Sequence, residues 1–261
     1  MAMTQRIPNP VPRTAFITGA GRRVGRAIAL RLAQGGWNIA IHYGRSRDEA
    51  EATAGEIRLL GVKATTLAAD LAREDQVQTL LASATDVLGP IGLLVNNASM
   101  FEPDRLSTVT RASWDSHMAA NLRAPVVLMQ SFAALLPADC DGAIVNILDQ
   151  RVWNPTEDFL SYTVTKAALW SLTQTLALDL APRIRVCGVG PGPTLANARQ
   201  ATSEFDAQAS SVPLRHSAEP TEIADTVAFL ADARSVTGQM IAVDGGQHLW
   251  WAPPSDSTPR D

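Results

Sequence analysis

The stretch TAFITGAGRRVGRAIALRLAQGG, residues 14–36, carries the first decision about this chain. A short run rich in apolar and β-branched residues, Thr14 to Thr18, leads through a turn holding Gly19, Gly21 and Gly25 into a segment whose apolar residues recur at helical spacing. Strand, glycine-rich turn and helix in immediate succession let a backbone approach a pyrophosphate, whose charge the free N–H groups of a helix start can meet. The turn departs from the strict G-x-G-x-x-G spacing, since three residues separate Gly21 and Gly25. An ordinary strand-to-helix turn therefore stands beside the nucleotide reading.

The alternation continues along the chain. Strands are expected over 14–18, 37–42, 63–68, 93–96, 143–147, 184–189 and 239–243, and helices over 22–34, 47–60, 74–88, 111–136, 157–180 and 221–231. Seven strands spaced by crossover helices predict an α/β fold with a doubly wound, mostly parallel seven-stranded sheet and helices on both faces. Ligands bind such sheets at the carboxyl ends of the strands. Residues 1–13 and 251–261, both interrupted by prolines, read as a flexible leader and a flexible tail around one catalytic domain over 14–250.

Composition narrows the function. A net charge of −4, a pI near 5.6 and the lack of any long Lys/Arg run make nucleic acid and anionic membrane poor partners and leave a small-molecule substrate. No apolar run approaches the ~20 residues that span a bilayer. Cys140 and Cys187 are far apart without ligand spacing, as are His117, His216 and His248. This fits a reducing, cytoplasmic setting and predicts neither disulfide nor metal site.

The end of the second strand reads His42-Tyr43-Gly44-Arg45-Ser46-Arg47, with no carboxylate before Asp48. A ribose 2′-hydroxyl calls for Asp or Glu there, whereas a 2′-phosphate wants cations, so NADP(H) is expected, with Arg45 and Ser46 as ligands and Arg23 as added positive charge. The same arginines also fit a solvated helix start. Asp70 can cap the segment after it or accept from an adenine amino group. Asn96 and Asn97 can bond local backbone or form a cofactor wall. Further on, helical periodicity from about Glu157 places Tyr162 and Lys166 one turn apart on one face. A cation beside a phenol is expected to lower its pKa toward neutrality and make it a usable acid or base. Trp37 and Trp170 read as packing residues, while Trp114, Trp153, Trp250 and Trp251 fit a substrate mouth or a subunit contact.

Taken together, TGAGRRVG at 18–25, Asp70-Leu71, NNAS at 96–99, Asn121, Tyr162-x-x-x-Lys166 and Pro191-Gly192 fall in the order and spacing of the short-chain dehydrogenase/reductase family over about Thr14 to Gly246. The chain resembles that family. The resemblance implies a Rossmann-type fold and hydride transfer with NADPH/NADP+, in which Tyr162 is the acid/base, Lys166 its tuner and ribose ligand, and Asn121 part of a proton relay. It implies a cofactor held by Thr18, Gly19, Arg23, Val24 and Gly25 at the pyrophosphate, by His42, Tyr43, Arg45 and Ser46 at the 2′-phosphate, and by Asp70 and Leu71 at the adenine. Asn97, Ala98 and Ser99 would line the ribose side, and Pro191, Gly192 and Thr194 the nicotinamide. A homotetramer and a mobile substrate lid over Ala196 to Ser211 follow from the same resemblance.

Two departures refine it. Arg23 stands at the middle glycine of the usual T-G-x-x-x-G-x-G, and Asp149 stands thirteen residues before Tyr162, where most members carry serine. With Phe101 soon after NNAS and His42-Tyr43-x-Arg45-Ser46, these features are similar to the pteridine reductase branch. That branch implies reduction of pterin or folate-like rings, with Arg23, Ser99, Phe101, Asp149, Trp153 and Tyr162 as substrate contacts. The substitution has a physical sense. Serine donates to a substrate carbonyl, whereas an ionised carboxylate only accepts, which suits a ring bearing N–H and amino groups. Asp149 can also be read as a strand-end cap. A carbonyl reductase acting on a 3-oxoacyl or sugar substrate, or an NADP(H) sensor without turnover, are the alternatives.

Overall fold

The computed structural model describes residues 6–196 and 201–249. Within them seven strands, β1 Thr14–Ile17, β2 Asn38–Tyr43, β3 Ala64–Ala68, β4 Leu93–Asn96, β5 Gly142–Ile147, β6 Ile184–Pro191 and β7 Met240–Val243, form one sheet in the order β3-β2-β1-β4-β5-β6-β7. Every neighbouring pair is parallel. The chain starts in mid-sheet, winds out to β3 and returns to place β4 against β1. The strand order therefore reverses between β1 and β4, where a crevice opens at the carboxyl ends.

Among the described residues, eight α-helices cover the two faces: α1 Arg23–Gln34, α2 Arg47–Leu59, α3 Glu74–Leu88, α4 Arg111–Met118, α5 Ala124–Leu135, α6 Leu160–Asp179, α7 Thr202–Ser211 and α8 Pro220–Asp232. Strand residues alternate between two cores. Ala15, Ile17, Ile39, Ile41, Leu93, Val95 and Val145 pack against Ile28 and Leu32 of α1, Ile57 of α2 and Val227 of α8. Their neighbours Phe16, Ala40, Leu94, Ile144 and Val186 pack against Leu81 of α3, Val127 and Phe132 of α5, and Leu169 of α6. Strands covered on both sides must be apolar at successive positions, which is why they read as short continuous runs.

Three local departures from expectation have physical causes. The helix expected over 111–136 is interrupted by a π-helical turn, Ala119–Arg123. Pro125, at the start of α5, has no N–H to give the carbonyl four residues earlier, and its ring crowds that carbonyl, so the ladder widens at Asn121. The helix expected from 157 begins at Leu160, because Phe159 sits in the left-handed region at φ 61. Its first N–H groups are met from a distant loop instead, Leu160 N–H by the Asp104 carbonyl at 3.2 Å and Ser161 N–H by Asp104 Oδ1 at 3.0 Å. Finally, the supposed leader is held from Arg6 onward. Asn9 N–H donates to Asp141 Oδ2 at 3.0 Å, Asp141 N–H donates to the Pro10 carbonyl at 3.0 Å, and the Arg6 guanidinium pairs with Asp141. Arg13 lies 4.5 Å above the Trp37 ring. Residues 1–5, the tail 251–261 and Trp250 lie outside the described residues.

The close seat of this segment is testable at Gly92, where an added Cβ would fall 2.1 Å from the Pro12 carbonyl oxygen. Gly92→Ala is expected to lift the segment, destabilise the fold by about 1–3 kcal/mol as overpacking does, and accelerate tryptic cleavage after Arg13. An unchanged cleavage rate would show that the contact is not what holds it.

Candidate active site

The phosphate end of the crevice is built from interlocked main chain. Thr18 Oγ1 accepts the N–H groups of Asn97 and Ala98, both at 2.9 Å, which stitches the end of β1 to the end of β4. Asn97 Nδ2 returns two bonds, to the carbonyls of Thr18 at 2.8 Å and Gly19 at 3.3 Å. A Cβ on Gly25 would lie 2.2 Å from the Gly19 carbonyl oxygen and 2.6 Å from Asn97 Nδ2, so only glycine fits where α1 crosses the turn. Arg23 holds a left-handed backbone, φ 52, which accounts for the glycine usual at that position. Its guanidinium crosses the crevice and donates to the carbonyls of Ala196 at 2.9 Å and Leu195 at 3.1 Å.

At the carboxyl end of β2, His42 does not face the crevice as a cofactor contact would. It is 2% exposed, and its Nδ1 accepts Gly19 N–H at 3.2 Å, so Nε2 carries the proton and donates to the Ala69 carbonyl at 3.1 Å. Burial pushes its pKa down to about 4, keeping the ring neutral behind the glycine turn. The side chains of Arg45 and Ser46 are unpaired among the described residues, and so are those of Arg22 and Arg47. Tyr43 and Leu71 are partly buried against the two cores. Asp70 takes the capping role, with Oδ1 accepting Ala72 N–H at 2.9 Å.

At the other end of the crevice, Asp149 heads a 3-10 turn, Gln150–Val152, that comes after β5. Its two oxygens have different partners. Oδ1 accepts Arg151 N–H at 2.9 Å as a cap, and Oδ2 accepts the Tyr162 hydroxyl at 2.9 Å. Tyr162 and Lys166 lie one turn apart on α6, 6% and 3% exposed. Lys166 Nζ donates to the Ile147 carbonyl at 2.7 Å and lies 5.6 Å from the centre of the Tyr162 ring. The expected lowering of the phenol pKa is reversed. Burial and the neighbouring Asp149 carboxylate push it well above its usual value, while burial brings Lys166 down to about 8. The ammonium is engaged with a carbonyl and the charge touching the phenol oxygen is negative, so the proton stays on Tyr162. Asn121, 1% exposed, spends its side chain on Met100, accepting its N–H at 2.7 Å and donating to its carbonyl at 2.8 Å. Its main-chain carbonyl faces the position of Pro125 along the helix and has no α-helical donor there.

A cavity of ≈540 Å³ joins these groups. Of the residues singled out in the sequence, Arg23, Val24, Phe101, Asp149 and Tyr162 line it together with Pro191, Gly192 and Thr194. Arg151, Phe159 and Gln247, which the sequence does not single out, line it too, as do Phe205 and Gln208 of α7 from within the expected lid. Phe101 stacks on Phe159 with ring centres 4.1 Å apart and meets Tyr162 edge-on at 4.7 Å. The Thr202–Ser211 half of the expected lid is thus a helix over the cavity, while residues 197–200 lie outside the described residues. Gln247 is brought there by the buried Asp244, which accepts the N–H groups of Gly246 at 3.0 Å and His248 at 2.8 Å. Two expected substrate contacts are not among the lining residues. Trp153 packs edge-on against Trp170, and Ser99 donates to the Met100 carbonyl at 3.2 Å. A second groove of ≈390 Å³ beside Trp37 and Phe229 has its Arg13 paired with Asp232 and its Arg31 with Asp225, and it holds no acid/base group like Tyr162.

A glycine cradle at a strand-order reversal, beside a cavity lined by Tyr162 and the part-buried Asp149 with Lys166 one turn behind, defines a nucleotide-dependent oxidoreductase. Comparison with known proteins makes the assignment particular. Residues 19–248 match a family model described as enoyl-(acyl carrier protein) reductase. A 3-oxoacyl-[acyl-carrier-protein] reductase from Staphylococcus epidermidis is 35% identical over 244 residues, 91% of this chain and 99% of that protein. Two crystal structures of FolM alternative dihydrofolate reductase 1 are also similar. The Brucella suis protein, in complex with NADP, is 48% identical with a TM-score of 0.89 over 92% of this chain and 97% of its own. The Brucella canis protein, also complexed with NADP, is 46% identical with a TM-score of 0.87 over 94% and 98%. This chain belongs to the short-chain dehydrogenase/reductase family.

The neutral His42 gives a pH signature with a definite sign. Its folded pKa of about 4 lies below the usual 6.5, so the unfolded chain binds the extra proton first, and stability present above pH 6.5 is lost as pH falls toward 4. The drop from 6.5 to about 4 corresponds to about 3 kcal/mol. Urea unfolding of the protein and of His42→Gln is expected to show the gap between them changing by that amount between pH 7 and 4. Parallel curves would contradict it.

Proposed function

We propose that this protein reduces a dihydropterin, or a folate carrying the same ring, at the expense of NADPH. The observation that carries the reading is the Asp149 carboxylate on the Tyr162 hydroxyl at 2.9 Å, where a carbonyl reductase needs a neutral hydroxyl donor. A carboxylate offers nothing to a substrate carbonyl and repels a developing alkoxide. It accepts well from ring N–H and amino groups. Phe101, held by Phe159, supplies a flat wall for a planar ring. The names of the two Brucella neighbours support the same reading, and that of the Staphylococcus relative supports the 3-oxoacyl alternative.

The cofactor is NADP(H). The turn is so close-packed that a Cβ at Gly25 would strike it, which suits the close approach of a pyrophosphate, and Arg45 and Ser46 come after β2 with no intervening carboxylate. Gly19, Arg23 and Gly25 would line the pyrophosphate, the free oxygen of Asp70 the adenine, and Pro191, Gly192 and Thr194 the nicotinamide end.

When bound, NADPH supplies a hydride to a ring carbon. Tyr162, which burial keeps protonated, gives the proton that the adjacent ring nitrogen takes up, so a C=N bond becomes CH–NH. Asp149 orients the Tyr162 O–H bond and accepts from the ring. Lys166, with its ammonium 5.6 Å from the centre of the Tyr162 ring, favours the phenolate left behind through its charge. Asn121 fixes the Met100 backbone next to Phe101.

NADPH oxidation by purified protein, with a dihydropterin and an acetoacetyl thioester as parallel substrates, tests this. Turnover of the pterin is expected, and Tyr162→Phe should lower kcat by about 100-fold or more. Turnover of the thioester alone would replace the pterin reading with an ordinary carbonyl reductase.

A further inference from the structure

Arg151 has no part in the reaction described so far, yet it reaches the acid group and the aromatic wall together. Its main-chain N–H donates to Asp149 Oδ1 at 2.9 Å and its Nη1 to Asp149 Oδ2 at 3.3 Å, so one residue grips both carboxylate oxygens. The two side chains are only 17% and 13% exposed. The guanidinium carbon lies 5.8 Å from the centre of Phe101 and 5.5 Å from that of Phe159, within reach of both ring quadrupoles. Nε donates to Thr156 Oγ1 at 3.4 Å. A planar cation anchored on three sides has one place to stand.

We propose that Arg151 is a positioning residue of the reaction, which holds Asp149 turned toward Tyr162 and so presents a fixed acceptor to the substrate ring. Other charged groups around Asp149 do not replace it. From α6, Lys166 is directed to the Ile147 carbonyl and Tyr162 donates only a neutral hydroxyl. Arg23 of the glycine turn is bound to the carbonyls of Leu195 and Ala196, His248 is paired with Asp244, and Glu204 of α7 accepts Ala201 N–H. Without the Arg151 guanidinium, Asp149 Oδ2 would lose its anchor beside Tyr162, the carboxylate would be free to turn about its main-chain cap, and Tyr162 would lose its fixed partner.

The proposal rests on the pterin reading only for the ring that Asp149 meets. Its test is the split between kcat and the KM for NADPH. In a folded Arg151→Met, kcat is expected to fall about tenfold, the worth of one hydrogen bond to a charged group, with the KM for NADPH unchanged, and Arg151→Lys is expected to recover part of the loss. An unchanged kcat in Arg151→Met overturns the proposal. So does a kcat that Arg151→Lys leaves where Arg151→Met put it, since the effect would then not belong to a cation on Asp149. Both constants are read on the dihydropterin, or on the acetoacetyl thioester if that alone turns over. Failure of the pterin reading would therefore leave the role of Arg151 to be decided by its own kcat.

Discussion

The hydrogen bond from the Tyr162 hydroxyl to Asp149, part-buried where β5 ends, sets the character of this site. It joins the strand side of the crevice to the helix that crosses behind it, and it decides two things at once. It holds the proton on the phenol, since a carboxylate neighbour and burial both disfavour the phenolate. It also turns an acceptor, not a donor, toward whatever enters. The surroundings serve that bond. Arg151 grips the carboxylate, Lys166 is pinned to the Ile147 carbonyl beneath it, and Phe101 meets Tyr162 edge-on from the open side.

The opposite end of the crevice depends on close approach of backbone. Gly25 passes so near Gly19 and Asn97 that α1 and the ends of β1 and β4 form one interlocked unit, backed by a neutral His42. Arg23 links the two ends. It accepts a strained left-handed backbone in the glycine turn, and its guanidinium crosses to the chain after β6, beside the cavity. A side chain there ties the residues that would hold phosphate to those that would frame the substrate. A glycine at that position makes no such link.

Much of this is legible in the sequence, for reasons that are local. The inner strands, buried on both faces, are short apolar runs, and β4 ends at Asn96 as expected; the half-buried edge strands β3 and β7 stand out by their β-branched residues and their place between helices. The Tyr162 and Lys166 pair needs only helical periodicity to be set on one face. The illegible parts depend on distant chain or on direction. Proline at 125 is plain in the sequence, but its effect falls on Asn121 one turn earlier, inside a segment whose periodicity is helical throughout. The start of α6 is set by Asp104, 56 residues before Leu160, and no local pattern reports that contact. Arg151 and Phe159 belong to an irregular loop whose side chains meet only when the 3-10 turn and the left-handed Phe159 are in place. The helix α7 is alanine-rich and polar, with a weak apolar stripe. The sense of the Tyr162 shift escapes the sequence because proximity of Lys166 along α6 does not bring its ammonium onto the phenol oxygen.

The central claim is that an acceptor at 149 selects the substrate. The direct measurement is the ratio of kcat/KM for dihydropterin to that for acetoacetyl thioester, in the protein and in Asp149→Ser. The account predicts that the ratio falls by at least about tenfold in the variant, the worth of one hydrogen bond to a charged group, with thioester turnover rising. An unchanged ratio in a folded Asp149→Ser that still binds NADPH would contradict it.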